Sequence, residues 1–584
     1  MKMVKSLLLG SAAGLVVVAG AQAADLPVKA APVQYVKICN LYGAGFFYIP
    51  GTDMCLKMGG WVRTEIMGYY NGSTITSWTG DVNNNNTNNI LWRARGYITA
   101  DARNQTDYGT VRSYIAVGLS TTSIGLDGPA NQFSANRAFI QLAGFTFGIS
   151  QSFYDIYSQP AVGLTGAYPA SDTGDPGWLV AGYTAQFGNG WSATLSAEMR
   201  RLSQVVNQNT NNAVTANPGG TIVGGAYGTP ANFFAATGAT AGAYGGNNVP
   251  DFVGNIRVDQ AWGSAQVMGA LHEINSNYYV TNTNPATPLT ATAPGVGTQF
   301  TTIPLGLEAS GRPSTAWGFA VGAGAKILTP FIWLSPYFGA GDYFQFQVNY
   351  TQGATRYADF SPNVNWYMQH GASAAYGVQS DAVYGGFVNP GGTVATTGPG
   401  VGIFAPFAGT ATSLQLTTAW GVNAAYEHFW SKQWRTSLVG GYFAVNYNGT
   451  ANAMLCAIEG QSGGVANSNF PVTTTAAAGA TTANGVGNGA VAAAGCSNNW
   501  NAWWLGSRTQ WNVTPDTYFA LEAFYENMTS ATTVNGIVPT GGATVNGIAP
   551  TGVIPATTQT NNLVSIGNQG NWMLRFRVHK DFYP

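Results

Sequence analysis

The sequence predicts an all-β chain, a 16-stranded antiparallel transmembrane β-barrel with short periplasmic turns and long extracellular loops. Three observations lead there. Stretches of about 10 to 14 residues alternate apolar side chains with polar or small ones, the mark of half-buried strands. The linkers between these stretches alternate between short and long. And only 8% of the residues are charged, where a soluble domain carries about 25%, while 45% are hydrophobic and 13% aromatic.

The same composition excludes other classes. Lys+Arg 23 against Asp+Glu 24 leaves a net charge of -1, so there is no basic excess to hold nucleic acid. Mean hydropathy is +0.02. A helical membrane protein needs several apolar runs of about 20 residues, and the sequence has one, at its N-terminus.

That run reads as a signal peptide over residues 1–23. Lys2 and Lys5 precede the apolar stretch Leu7 to Gly20, and Ala21-Gln22-Ala23 has the small-x-small form that signal peptidase cuts. The competing reading, a membrane anchor, has too short a core. Cleavage after Ala23 leaves 561 residues with 21 basic and 24 acidic side chains. Residues 24–54 then form an N-terminal periplasmic segment, and residues 55–584 the barrel. None of the four cysteines lies in a C-x-x-C pair or completes a zinc set. In an oxidising compartment, proximity pairs Cys39 with Cys55, closing a short loop worth roughly 3 kcal/mol, and Cys456 with Cys496. The alternative is four free thiols.

The first predicted strand covers 56–69 and is followed by an Asn-rich stretch, Asn83 to Asn89. Strands at 90–102 and 109–119 share a short turn, and those at 132–143 and 145–153 meet across Gly144. Gly188-Asn189-Gly190, a strong hairpin signal, separates 178–187 from 191–202. Gly263-Ser264 joins 252–262 to 265–275, and Thr329-Pro330 lies between 316–327 and 333–350. Ser431-Lys432-Gln433 joins 414–430 to 434–447, Thr514-Pro515-Asp516 joins 500–513 to 517–528, and the last strand is 572–583. The remaining linkers, about 203–251, 276–315, 351–412, 448–499 and 529–570, are long and rich in Gly, Ala, Thr, Asn and Pro. A compact soluble domain rarely carries so many long loops; an up-and-down barrel has them along one rim.

The strand faces separate membrane from water. Trp572, Leu574, Phe576 and Val578 share one face of the last strand, and Arg575, Arg577 and His579 the other. Arg93, Arg95, Tyr97, Thr99 and Asp101 oppose Ala94, Ile98 and Ala100. In a membrane barrel the apolar face meets lipid, the polar face lines a lumen, and closure satisfies every backbone group. Tyr69, Tyr70, Trp178, Trp191, Trp262, Trp430, Trp434 and Trp500, near strand ends, are placed to form interfacial girdles.

The stretch CNLYGAGFFYIPGTDMCLKMGGWVR, from Cys39 to Arg63, resembles the start of the alphaproteobacterial porins, and the strand plan extends the likeness over most of residues 35–584. The resemblance implies an outer-membrane barrel, usually a homotrimer, that passes small hydrophilic solutes and ions passively and without a cofactor. Its partners would be outer-membrane lipid, lipopolysaccharide and the barrel assembly machinery. It also implies that the third long loop, here Gln151 to Gly177, folds into the lumen as a constriction. Two departures stand out: the chain ends Phe582-Tyr583-Pro584 rather than in an aromatic residue, and several loops are long for the family.

Closure sets the last strand beside the first. Counted from the short-turn rim, Arg63 stands about seven residues up, Arg93 and Arg95 about seven to nine, Arg137 about five, and Arg575 and Arg577 about six to eight. All six have lumen parity and form a candidate basic wall; Arg112 sits lower. The loop brings Asp155, Asp172 and Asp175 and no Lys or Arg. Arginine on the wall facing aspartate on the loop would set a field across the pore. The competing reading is that these charges pair with each other and stiffen the barrel. The count assigns neither cation nor anion preference.

Catalytic patterns do not assemble. The four histidines (His272, His370, His428, His579) are scattered, with no H-E-x-x-H and no G-x-S-x-G. The chain is therefore read as a non-enzyme. A substrate-selective channel is the nearest alternative, followed by a barrel enzyme and a surface adhesin.

Overall fold

A computed structural model describes residues 37–70, 79–83, 90–123, 130–164, 171–174, 176–207, 244–277, 312–328, 341–360, 365–370, 373–385, 412–461, 497–531, 537–539 and 563–583. Sixteen strands make the wall. They are β1 Cys55–Tyr70, β2 Ile90–Thr106, β3 Gly109–Thr122, β4 Ala130–Leu142, β5 Phe145–Ser150, β6 Trp178–Gly188, β7 Trp191–Glu198 and β8 Asp251–Gln260. The second half comprises β9 Gly263–Ile274, β10 Ala316–Leu328, β11 Tyr343–Gln352, β12 Thr418–Phe429, β13 Trp434–Asn446, β14 Trp500–Thr514, β15 Thr517–Thr529 and β16 Gln569–Asp581. Each pairs antiparallel with the next, and β16 pairs with β1 from Trp61↔Asp581 to Tyr70↔Trp572, so the sheet closes without an edge.

The sixteen strands fall where the alternation placed them, and the differences are at their ends. The fifth stops at Ser150 and the seventh at Glu198, short of the expected 153 and 202. Both stop because Ser152 and Phe153 leave the wall and bond to Glu198 inside the barrel. The eleventh begins at Tyr343; residues 333–340 of the expected strand lie outside the described residues.

The barrel is apolar outside and polar within. In β16, Trp572, Leu574 and Phe576 are exposed while Asn571, Arg575 and Arg577 are buried. In β7, Leu195 is exposed while Ser192, Thr194, Ser196 and Glu198 are buried. Water would expose the polar set and bury the apolar one; hydrocarbon around a closed sheet demands the reverse. Trp191, Trp262, Trp430 and Trp434 are exposed, as the girdle requires. Trp178 and Trp500 correct the expectation. Both share the inward parity of their strands and are buried, Trp178 edge-on to Phe360 at 5.0 Å and Trp500 against Trp366 at 5.0 Å. The side chains of Tyr69 and Tyr70 lie outside the described residues.

At the seam, two glycines make room for two rings. A β-carbon on Gly59 would come within 2.3 Å of the Tyr583 ring, and one on Gly60 within 2.5 Å of the Phe582 ring. The Phe582 amide donates to the Gly60 carbonyl at 2.9 Å. Nearby, Phe47–Tyr48 pairs with the start of β1, and a disulfide joins Cys39 to Cys55, as expected. The pairing of Cys456 with Cys496, residues 1–36 and Pro584 lie outside the described residues.

At the long-loop end the loops turn inward and build structure. Thr79–Asn83, Asn365–His370, Ser373–Val378, Ile537–Pro539 and Leu563–Ile566 form one small sheet; Val205–Asn207, Ala382–Tyr384 and Gln415–Leu416 form another. Trp366, Met368 and Val378 of the first sheet pack on inward apolar residues of the wall, among them Met67, Phe443, Phe524 and Met573. So the largest apolar core among the described residues lies inside the barrel, at the long-loop end.

Candidate functional site

The segment after β5 crosses the interior as a strap. It begins where Glu198 of β7 accepts from the Ser152 hydroxyl at 2.5 Å and the Phe153 amide at 3.0 Å. Asn255 of β8 donates to the Phe153 carbonyl at 2.6 Å, and Gln266 of β9 donates to the Phe153 and Tyr154 carbonyls at 3.1 and 3.2 Å. Over β10 the strap passes two glycines; a β-carbon on Gly324 would lie 2.5 Å from Ile156. Gln347 of β11 accepts from the amides of Ile156 and Tyr157, both at 3.0 Å, and Gln345 donates to the Ser158 carbonyl at 2.9 Å.

A four-residue helix, Gln159–Val162, follows. Its end is held by Ser437 of β13 to the Val162 carbonyl at 2.5 Å and by Arg508 of β14 to the Ala161 carbonyl at 3.3 Å. Glu522 of β15 accepts from the Leu164 amide at 2.8 Å, and Arg575 and Arg577 of β16 donate to the Leu164 carbonyl at 2.7 and 2.6 Å. A loop inside a barrel needs partners for its main chain, and here side chains of successive wall strands supply them. Burial pushes the hydroxyls of Tyr154 and Tyr157 above their ordinary range, so both stay neutral within the strap.

Beyond Leu164 the wall turns basic. Fully buried Glu65 of β1 accepts from Nε of Arg93 and Nε of Arg577, both at 2.6 Å, while Nε of Arg63 stands 4.0 Å away. Arg63 lies over the Trp61 ring at 4.7 Å, and Arg95 over Trp61 and Tyr97 at 5.8 and 5.2 Å. The Trp61 and Tyr97 rings stack at 4.7 Å, and His579 stacks on Trp61 at 5.5 Å. Aromatic faces fix the planar guanidinium groups in position. A second set joins Glu427 to Arg508, to Arg435 at 3.5 Å and to the Tyr343 hydroxyl at 2.5 Å.

The sequence profile of the porin subfamily matches residues 25–548. The chain belongs to the porin subfamily. Porin Omp2b of Brucella canis is 35% identical over 210 residues, which cover 33% of this chain and 54% of that relative. Porin Omp2a of Brucella ovis is 35% identical over 220 residues, 33% of this chain and 59% of the relative. The chain thus spans about half the length of the curated relatives it matches. Among solved structures, the outer membrane channel DcaP of Acinetobacter baumannii aligns over 92% of this chain and 99% of its own, at TM-score 0.47 and 10% identity. The strand registers, rather than that likeness, carry the architecture, and with its apolar exterior this porin is an outer-membrane β-barrel.

Five of the six expected arginines of this porin gather: Arg63, Arg93, Arg95, Arg575 and Arg577 stand on three adjacent strands. Arg137 stands on the fourth strand of the wall. A bulge between Ala116 and Val117 shifts its strand, and Arg137 donates to the Gly174 carbonyl on the returning limb of the loop. The expected acids are placed differently. Asp155 is no lumen acid: it is fully buried, paired with Arg201 at 2.9 Å, and accepts from Ser171 at 2.7 Å and the Thr173 amide at 2.9 Å. Asp172 accepts from the amides of Gln159 and Gly174 at 2.8 and 2.7 Å, closing the loop on itself. Asp175 lies outside the described residues. Among the described contacts, loop main-chain carbonyls accept from Arg137, Arg508, Arg575 and Arg577. Glu65, Glu198, Arg201, Arg435 and Arg508 were not singled out from the sequence. Parity would have found Glu65, two residues after Arg63, and Arg508, which alternates with exposed Leu505 and Trp511 through buried Gly506 and Gln510.

Proposed function

We propose that this porin is a passive, water-filled diffusion channel for small hydrophilic solutes and ions. In this reading the strap of residues 151–177 is the constriction and Arg63, Arg93, Arg95, Arg137, Arg575 and Arg577 form the basic wall beside it. The observation that carries the reading is the strap, a loop laid across the interior of a closed barrel on a polar, charged wall. The chain is not an enzyme in this account, because the buried charges are taken up by each other and by the strap's main chain.

The same reading makes residues 1–23 an export signal and residues 24–54 a periplasmic segment. It gives the protein a homotrimeric state, lipid and lipopolysaccharide around it, and an assembly machinery that inserts it. Purified protein in planar bilayers tests it: stepwise, ohmic conductance in triplets is expected. Folded trimers that pass no current would end the channel reading.

A further inference from the structure

Solvent reaches the inner wall unevenly. On β11, β14 and β15, Gln347, Arg508 and Glu522 bond the strap and are buried. At the long-loop end Phe443 and Trp500 are buried against Trp366 of the small sheet. On β3 and β4 the inner face stays open. Register pairs Ser120 with Gln132 and Tyr114 with Phe139 on that face, and these four, with Ser134 and Asn136 beside them, are all at least partly exposed. The strap's bonds run along β7 to β16, and its returning limb meets Arg137 of β4. A solute crossing the channel proposed above therefore travels along β1 to β4.

Two kinds of side chain meet it there. Toward the long-loop end stand amides and hydroxyls: Gln132 and Ser120, then Ser134 and Asn136, which bond the Tyr97 hydroxyl at 2.6 and 2.9 Å. Below them, rings occupy three successive tiers. Trp61 stacks on Tyr97 at 4.7 Å in the first. Tyr583, 47% exposed, lies against inward-facing Gly59 in the second. Tyr114 stacks on Phe139 at 5.3 Å in the third. Register sets the tiers two residues apart, about 7 Å each. Rings give rigid apolar surface, while hydroxyls and amides exchange hydrogen bonds. A sugar uses both, through its hydroxyl rim and its apolar C–H face. An inorganic ion or an aliphatic chain uses only one.

We propose that these tiers form a sugar-binding track, along which neutral mono- and oligosaccharides are held and passed from the strap to the periplasmic end. On the channel reading, sugars then cross saturably rather than in proportion to their concentration. Their affinity stays low, since a solute held tightly would block its own path.

Full-length protein in planar bilayers, with maltose added in steps, tests this. The wild-type ion current should fall saturably with maltose concentration. In the Tyr114→Ala/Phe139→Ala variant the half-saturating concentration, read against that variant's own sugar-free current, should rise about tenfold, because a stacked ring pair is lost. If that variant does not assemble, Phe139→Leu keeps the apolar bulk and should raise it about threefold. A wild-type current that falls only linearly, or a half-saturating concentration unchanged in a folded variant, would overturn the sugar track while leaving the channel reading intact. Absence of any conductance from folded trimers would remove both.

Discussion

Phe582, together with the Tyr97 carbonyl, fills the space that a side chain on Gly60 would need. Its ring lies 2.5 Å from that β-carbon position, and its amide donates to the Gly60 carbonyl at 2.9 Å. Tyr583 stands in the same relation to Gly59. The seam is therefore held by ring-on-glycine packing as well as by the ladder between β1 and β16.

Gly59→Val should disturb that seam, because the three atoms nearest its β-carbon position all belong to the Tyr583 ring. Overpacking costs about 1–3 kcal/mol, and here it falls where the cylinder closes. We expect a lower unfolding temperature by heat-modifiability on gels and a larger unfolded fraction after refolding. Gly68→Val, on the same strand with open space around its β-carbon position, is the control and should assemble normally. Equal behaviour of the two variants would show that the seam rings do not matter.

Glu65→Gln removes the acid shared by Arg93 and Arg577. Breaking a buried pair from one side costs about 3–5 kcal/mol, because the remaining charges stay where they are. A urea midpoint below that of wild type by a matching amount is expected. A midpoint within error of wild type would mean that water already shields these arginines.

Gln347→Ala takes away the acceptor for two strap amides, Ile156 and Tyr157. Each buried amide left without a partner costs about 1–3 kcal/mol, enough to loosen the strap locally but not the wall. Noisier single-channel currents are expected, with the size limit in liposome swelling and the unfolding midpoint unchanged, because the neighbouring attachments keep the strap in place.

Asp381 ties two long loops to the barrel end. It accepts from the Tyr244 hydroxyl at 2.5 Å, the Thr355 amide at 2.8 Å and the Ser203 amide at 3.0 Å, with His272 at 3.6 Å. Burial pushes its carboxyl up, but these donors and His272 outweigh burial and leave it below the ordinary carboxylate range. A depressed carboxylate stabilises above its unfolded value of about 3.9 and loses that contribution as pH falls through the lower folded value. Protease resistance of loops 199–250 and 353–417 should accordingly stay level from neutral pH to about pH 5 and fall only below about pH 4. Loss of resistance near pH 6 would point to a different group.

Non-reducing peptide mapping should find Cys39 joined to Cys55. Cys39→Ser should then expose residues 37–54 to protease while the barrel stays folded, because the disulfide closes only that short loop. An alkylatable Cys39 in native membranes would contradict the bond.

Period-2 alternation made the barrel legible, because a closed sheet facing hydrocarbon imposes it on every strand. Strand ends were less legible where tertiary bonds override the pattern, as when Glu198 draws Ser152 and Phe153 off the wall. Parity found Arg63, Arg93, Arg95, Arg575 and Arg577. The bulge shifts the count along Arg137's strand, yet its side chain reaches the loop at the Gly174 carbonyl; parity did not foresee that Asp155 would turn to Arg201. Contacts between a loop sheet and a distant wall strand, such as Trp366 on Trp500, leave no periodic trace at all. The role of the strap's main chain was hidden for a related reason: carbonyls and amides carry no sequence signal, yet they are what the wall arginines and glutamines hold.

Because the strap is held at many points around the circumference, its position does not depend on any one bond. Loss of Asn255 or Gln345 leaves the neighbouring attachments in place. Aperture is thus a robust trait under mutation, whereas charge facing the passage changes with each substitution. Selection for altered uptake, of nutrients or of toxic compounds, would find the second route open long before the first.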